Sequence, residues 1–273
     1  PVLIELAGCT NVVLDDFATQ FQHLWSLHLL FCKNVVARGL NLRSADANGD
    51  GIDVDSCDGV TIERCNIHSG DDAIALKSGR GLAALRLGRP TQNVVIRDCH
   101  LQSSLFAALG IGTEMSGGIR NVKMENCVIA GGQNAIFIKS REGRGGFIEN
   151  ISAENITVQK SPTFVGIDLL DKGIQASDPV TGSVNKWPHV QDISFKNILV
   201  EDVGILVVGT NIPAAGPLDN FTLADITGTC ASAIVITNMT HVHISHIHVT
   251  GFSGPLLSAG KFRSDTLDLS DVK

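Results

Sequence analysis

The residues whose types and spacing could do chemistry are three aspartates: Asp50 in Asn48-Gly49-Asp50-Gly51, and Asp71 and Asp72 in Ser69-Gly70-Asp71-Asp72. Like charges brought together cannot all ionise, so their pKa values split and leave a protonated acid beside a carboxylate base. Such a pair suits cleavage of a glycosidic bond. Aspartates beside glycines are also ordinary turn residues. What they mean therefore depends on the elements that position them.

Those elements are repeats. The block Asn93-Val94-Val95-Ile96-Arg97-Asp98-Cys99-His100-Leu101 recurs with starts at Asn11, Asn34, Gly59, Asn93, Asn121, Asn150, Asp192, Asn220 and His241. Its second column (Val12, Val35, Val60, Val94, Val122, Ile151, Ile193, Phe221, Val242) is wholly apolar, as is its seventh (Phe17, Leu40, Cys65, Cys99, Cys127, Ile156, Ile198, Ile226, Ile247). Both columns are expected to face a core. The sixth column, Asp16, Gly39, Arg64, Asp98, Asn126, Asn155, Asn197, Asp225 and His246, is dominated by residues that tolerate a left-handed bend. Strand, bend, strand at this period, with alternating polarity, predicts an all-β solenoid of about nine coils in which each coil covers its neighbour's core. A leucine-rich repeat has a similar period, but neither its leucine consensus nor its helical half is present.

A second strand aligns in four coils: Ile52 to Ser56, Ile74 to Ser78, Leu109 to Thr113 and Ile136 to Ser140. Alternation directs Asp53, Asp55, Lys77, Phe137 and Lys139 outward on one parallel sheet whose rungs are roughly 4.8 Å apart. Extending this register back by two residues sets Asp50 beside Asp72.

Composition narrows the function classes. A formal charge of −7 argues against nucleic acid, and it leaves recognition of an acidic polymer to locally placed cations. No apolar run approaches the length of a membrane span. No signal peptide is visible, and the opening residues read as the middle of a repeat. The whole chain, 1–273, is expected to be a single domain.

The wording of the segments then decides between turn and site. Asn48-Gly49-Asp50-Gly51-Ile52-Asp53-Val54-Asp55-Ser56-Cys57 and Ser69 to Gly79 resemble the two leading signatures of glycoside hydrolase family 28, the polygalacturonases and relatives. Gly112-Thr113-Glu114-Met115-Ser116-Gly117-Gly118 with Arg120-Asn121-Val122 resembles the next, and Ile138-Lys139-Ser140 through Gly146 the fourth. With Phe21 through Cys32, similar to the coil preceding the site, the likeness spans about residues 1 to 160. The resemblance implies a right-handed parallel β-helix, an inverting hydrolase of pectic α-glycosidic bonds, and no metal or other cofactor. It makes Asp71 the general acid and gives Asp50 and Asp72 the activation of water, with carboxyl groups roughly 6.5–9.5 Å apart. Lys139 matches the lysine that holds a substrate carboxylate, and Asn48 opens the first signature. Asp53, Lys77, Glu114, Phe137, Arg141 and Arg144 complete the expected substrate-binding set. Family members carry more chain before the residues matching Pro1, so the family's N-terminal portion is expected to be lacking.

Two departures stand out. Phe106-Ala107-Ala108-Leu109 occupies the place of a family histidine, and Phe137-Ile138-Lys139 replaces an Arg-Ile-Lys triplet. A carboxylate clamp has become an aromatic surface, which suits stacking on a sugar face or covering by a loop. Arg141 and Arg144 either substitute for the lost arginine or are solvated loop residues. The loops Arg80 to Arg89 and Ser177 to Trp187 are expected to wall one end of the groove, which favours exo-action.

His241, His243, His246 and His248 have metal-like spacing, but the repeat places them at strand-face and bend positions. His68, three residues before Asp71, reads as a supporting or exposed residue. Cys65, Cys99 and Cys127 share one column as small buried hydrophobes. The sequons at Asn155, Asn220 and Asn238 fall inside strand-rich blocks. The expected partner is a polysaccharide or oligosaccharide, with no nucleic acid or membrane, bound by a secreted or periplasmic monomer. Two rival readings remain, a catalytically weakened carbohydrate-binding β-helix and a polysaccharide lyase on the same fold.

Overall fold

The computed structural model describes residues 1–170, 172, 187–259 and 267–272. The chain winds as a right-handed parallel β-helix, and every strand pairing in it is parallel. Three ladders run along the axis. The first stacks Ile4–Ala7, Leu27–Leu30, Ile52–Asp55, Ile74–Lys77, Ala107–Ile111, Asn134–Lys139 and Thr163–Asp168. The second runs from Thr10–Asp15 through Lys33–Arg38, Asp58–Glu63 and Thr91–Arg97 into the longer strand Ile119–Gly131. The third stacks Ala18–Gln20, Asn41–Arg43, Asn66–Ser69 and His100–Ser103, and then the end of Ile119–Gly131.

The register is the one that the apolar columns demand. Val12 lies opposite Val35, then Val60, Val94, Val122, Ile151, Ile193, Phe221 and Val242 in succession. From Val35 onward these side chains are buried in one continuous core, each contributing roughly 1.5–3 kcal/mol of hydrophobic stabilisation. Cys65, Cys99 and Cys127 lie in it as free thiols, and none of the seven cysteines is disulfide-bonded. Val12 and Phe17, in the first coil, are only partly buried.

Positive φ at the sixth column matches the sequence reading, from Asp16 at 48° to Asp225 at 57°. The first column is left-handed as well, a feature the apolar pattern does not show: Asn11, Asn93, Asn121 and Asn150 have φ between 54° and 58°. Asparagine suits both halves of that requirement. Its short amide tolerates the bend, and it bonds the same residue one coil away, as Asn121 Nδ2 does to Asn93 Oδ1 at 3.1 Å and Asn150 Nδ2 to Asn121 Oδ1 at 2.9 Å. Asn155 and Asn220, two of the sequon asparagines, are spent in such ladders.

The expected loop Arg80 to Arg89 contains instead a short helix, Gly81–Leu87, ended by Gly88 at φ 57°. Of the second expected wall, Ser177 to Trp187, all but Trp187 lies outside the described residues. Among the described residues no helix is long and apolar enough to cross a membrane.

Candidate active site

The three aspartates sit where the third ladder turns into the first. The Gly51 amide donates to the Asp72 carbonyl at 3.0 Å, so Asp50 and Asp72 are neighbours on adjacent coils, as the register requires. Asp71, one residue earlier, is pinned by its backbone: the Ser69 and Ser103 hydroxyls both donate to its carbonyl at 2.7 Å. Its Oδ1 accepts from the Asp72 amide at 2.9 Å. That arrangement leaves Asp71 partly exposed while Asp50 and Asp72 are buried.

Two lysines divide the buried carboxylates between them. Lys139 Nζ lies 2.7 Å from Asp72 Oδ2. Lys77 Nζ lies 2.5 Å from Asp53 Oδ1, 3.2 Å from Asp50 Oδ2 and 3.6 Å from Glu114 Oε2. Burial alone would lower both lysine pKa values, but the facing carboxylates outweigh it and hold both groups charged. Burial, with Asp53 adjacent, pushes Asp50 well above the usual carboxylate range despite the pull of Lys77. Asp53 is raised to about 6, again chiefly by burial and against the pull of Lys77. Asp71 is raised to about 7, by burial first and then by the negative fields of Asp50 and Asp72. A partly exposed carboxyl raised to about 7 thus stands beside Asp72, which is paired with Lys139.

Asp53, Lys77 and Phe137, outward on the first ladder, are not solvated. Asp53 is fully buried and Lys77 6% exposed, because the lysine folds over the acids next to it. Phe137, expected to stack on a sugar, is 8% exposed and lies against Gly166, which restricts the ring available to a ligand. The expectation that loop arginines are solvated is corrected for Arg144, which is 2% exposed. Arg141 is half-buried, and Asn48 is exposed on the turn before Asp50. Glu114 reaches Arg80 as well as Lys77. His68 points its Nε2 to Ser104 Oγ at 3.3 Å. The four C-terminal histidines each face an aspartate: His241 with Asp219, His243 with Asp268, His246 with Asp225 and His248 with Asp271.

Two contributors escaped the sequence reading. Trp25 places its ring 3.7 Å from Lys77 Nζ, a cation–π contact that roofs the buried charges. The Ser26 amide donates to the Asp50 carbonyl, so extending the register one coil further back would have found Trp25 on the Asp50 column. Gly110 is the other. A Cβ there would lie 2.0 Å from Asp72 Oδ2, so only glycine leaves room for that carboxylate.

The class of protein this defines is a parallel β-helix with three aspartates and two lysines gathered where its coils enter one ladder. Within that class the chain belongs to glycosyl hydrolases family 28, whose model matches residues 1–246. It is 30% identical over 238 residues to a probable polygalacturonase of Vitis vinifera, covering 86% of this chain and 46% of that protein. It is 28% identical to an endo-polygalacturonase of Pectobacterium carotovorum subsp. carotovorum, covering 72% of this chain and 44% of the other. Among solved structures, an exopolygalacturonase of Thermotoga maritima superposes with a TM-score of 0.79 at 25% identity, covering 90% of this chain and 54% of that one. The family 28 exopolygalacturonase of Yersinia enterocolitica, at TM-score 0.82 and 19% identity over 98% of this chain and 47% of its own, shows the same fold. The chain therefore spans about half the length of the relatives it matches.

Proposed function

We propose that this chain is one β-helical catalytic domain of an inverting glycoside hydrolase acting on α-glycosidic bonds of pectin or a related acidic polysaccharide. The observation that carries the reading is the partly exposed Asp71, its carboxyl raised by burial to about 7, beside an Asp72 held by Lys139. Asp71 gives its proton to the glycosidic oxygen as the bond to the anomeric carbon breaks. Asp72, with Asp50 beside it, takes a proton from the water that attacks that carbon from the opposite face. No metal enters these steps. The relatives named polygalacturonases support a galacturonate polymer as the substrate class. Lys139, committed to Asp72, meets a substrate carboxylate only by sharing its charge. The protein works as a monomer in a secreted or periplasmic setting, where such polymers occur.

The test is release of reducing ends from homogalacturonan, xylogalacturonan and rhamnogalacturonan, with the anomer of the first product followed by NMR. Hydrolysis with inversion supports the reading. A retained anomer, or unsaturated products dependent on calcium, rejects it. Binding without turnover establishes the rival carbohydrate-binding reading, which the loss of the family's arginine at the Phe137 position and of its histidine from Phe106 to Leu109 motivates.

A further inference from the structure

Beside the aspartates, on the third ladder, lies a cavity of about 340 Å³ lined by Gln20, Phe21, Arg43, Ala45, His68 and Ser104 among others. That size is within the roughly 300–1,000 Å³ usual for ligand sites. Its floor is a ladder in strict register, Gln20 opposite Arg43 and Arg43 opposite His68, which contains a guanidinium, an imidazole and no acid. Arg43 is exposed and makes no ion pair among the described residues. Asp46, just beyond Ala45, is already engaged by His23. At the rim Phe21 is 82% exposed, held there at φ 65°, a conformation that a bulky side chain adopts only under constraint.

The cavity wall and the catalytic turn are one hydrogen-bonded unit. The Ser104 amide donates to the Ser69 carbonyl at 2.9 Å, and the Ser69 hydroxyl donates to the Asp71 carbonyl at 2.7 Å. On the other side Ser44 donates to the Gln22 carbonyl, Gln22 bonds Ser26, and the Ser26 hydroxyl donates to the Asp50 carbonyl at 3.0 Å. A ligand seated here is thus fixed relative to Asp71 and Asp50.

We propose that this cavity is a distal subsite that binds one uronate unit of the polysaccharide, its carboxylate on Arg43 and its apolar ring face on Phe21. The assignment rests on the reading of the chain as a pectin hydrolase and adds the place where a chain longer than the cleaved pair is held. The chemistry is specific. A fork of guanidinium donors fits a carboxylate, an aromatic face fits the C–H face of a pyranose, and the net charge of −7 leaves a polyanion to be attracted by local cations alone.

The experiment is titration calorimetry with galacturonate oligomers of two and six units, and with the methyl esters of the hexamer, in an Asp71→Asn background. Arg43→Ala is compared with Phe21→Asn, which keeps a residue tolerant of the left-handed bend. Loss of one charge-assisted contact corresponds to a fall in affinity of roughly 10- to 100-fold. That fall is expected for the hexamer and not for the dimer in Arg43→Ala, and it should vanish for the methyl esters. Phe21→Asn should weaken acid and ester alike. Unchanged hexamer affinity in Arg43→Ala, an equal loss for dimer and hexamer, or no hexamer binding by the background chain overturns the subsite. Turnover by the parent chain is scored separately. Hexamer binding that depends on Arg43 without any hydrolysis leaves the subsite standing and removes the catalytic reading.

Discussion

Lys139 and Asp72 form a nearly enclosed ion pair, 2.7 Å apart, although they belong to coils separated by the rung Ala107–Ile111. The lysine reaches across that rung at Gly110, where there is no side chain, and its charge is spent on holding the Asp72 carboxyl in place. Lys139→Met should lower kcat by about 10²-fold or more, the scale on which general-base catalysis contributes. Lys139→Arg should recover part of the loss. A rise in KM with kcat intact would show that substrate anchoring dominates, and would reject the positioning role.

Gly110 makes the same point from the floor of the site. The Cβ of Gly110→Ala would stand 2.0 Å from Asp72 Oδ2 and 2.5 Å from its Cγ, so the carboxylate must leave its pairing with Lys139. The rung itself keeps its backbone ladder. The expected outcome is activity reduced by at least tenfold, with circular dichroism and melting temperature close to the parent's. Parental kcat in Gly110→Ala would show that Asp72 can move without consequence.

Much of this geometry was legible in the sequence, because a solenoid repeats its register. Apolar columns fix which residues stack, and stacking fixes that Asp50 meets Asp72. What the alternation could not convey was exposure. Asp53 and Lys77 do point away from the core, yet they bury each other, since the long lysine side chain folds over the short acid on the neighbouring coil. Trp25 was missed because it precedes its strand and carries no charge. The helix Gly81–Leu87 was missed because a single turn or two, begun at Arg80 without a side-chain cap, has almost no periodic signature.

Asp71 gives a pH signature with a defined sign. Its carboxyl titrates at about 7 in the folded protein and near 3.8 when unperturbed. A proton donor must hold its proton, so kcat/KM should fall as pH rises through about 7. The folded state binds the extra proton between these two values, so ionised Asp71 costs stability fully above about 7 and not at all below about 4. Asp71→Asn should therefore lose 10²- to 10⁴-fold in activity while melting higher than the parent at pH 8 and equally at pH 4. Activity scans and differential scanning calorimetry at both pH values check the two halves independently.

The Asn ladder is a stability device away from the chemistry. Asn121 holds φ 54° and bonds both Asn93 and Asn150. Asn121→Ala puts into the left-handed region a residue without the short amide that lets asparagine tolerate it, at a cost of up to roughly 1–2 kcal/mol, and removes two exposed hydrogen bonds. Asn121→Gly should recover the conformational part only. Denaturant unfolding of the two variants separates bend from ladder, and equal stability of Ala and Gly at this position would assign the whole effect to the hydrogen bonds.

Lys77 carries the largest electrostatic stake, because two buried acids and Glu114 converge on it beneath Trp25. Removing one partner of a buried pair leaves charge in a dry setting and costs about 3–5 kcal/mol. Lys77→Met keeps the length of the chain and loses the cation, so Asp50 and Asp53, already raised by burial, should climb further. An acid whose folded pKa lies above its unfolded value destabilises the protein fully above the folded pKa, and the penalty declines as pH falls from there to the unfolded pKa, below which it is gone. Lys77→Met should accordingly be far less stable than the parent at pH 8 and approach it near pH 4. Chemical denaturation across that range reads the difference directly, and a deficit independent of pH would mean that packing against Trp25, rather than charge, is what Lys77 supplies.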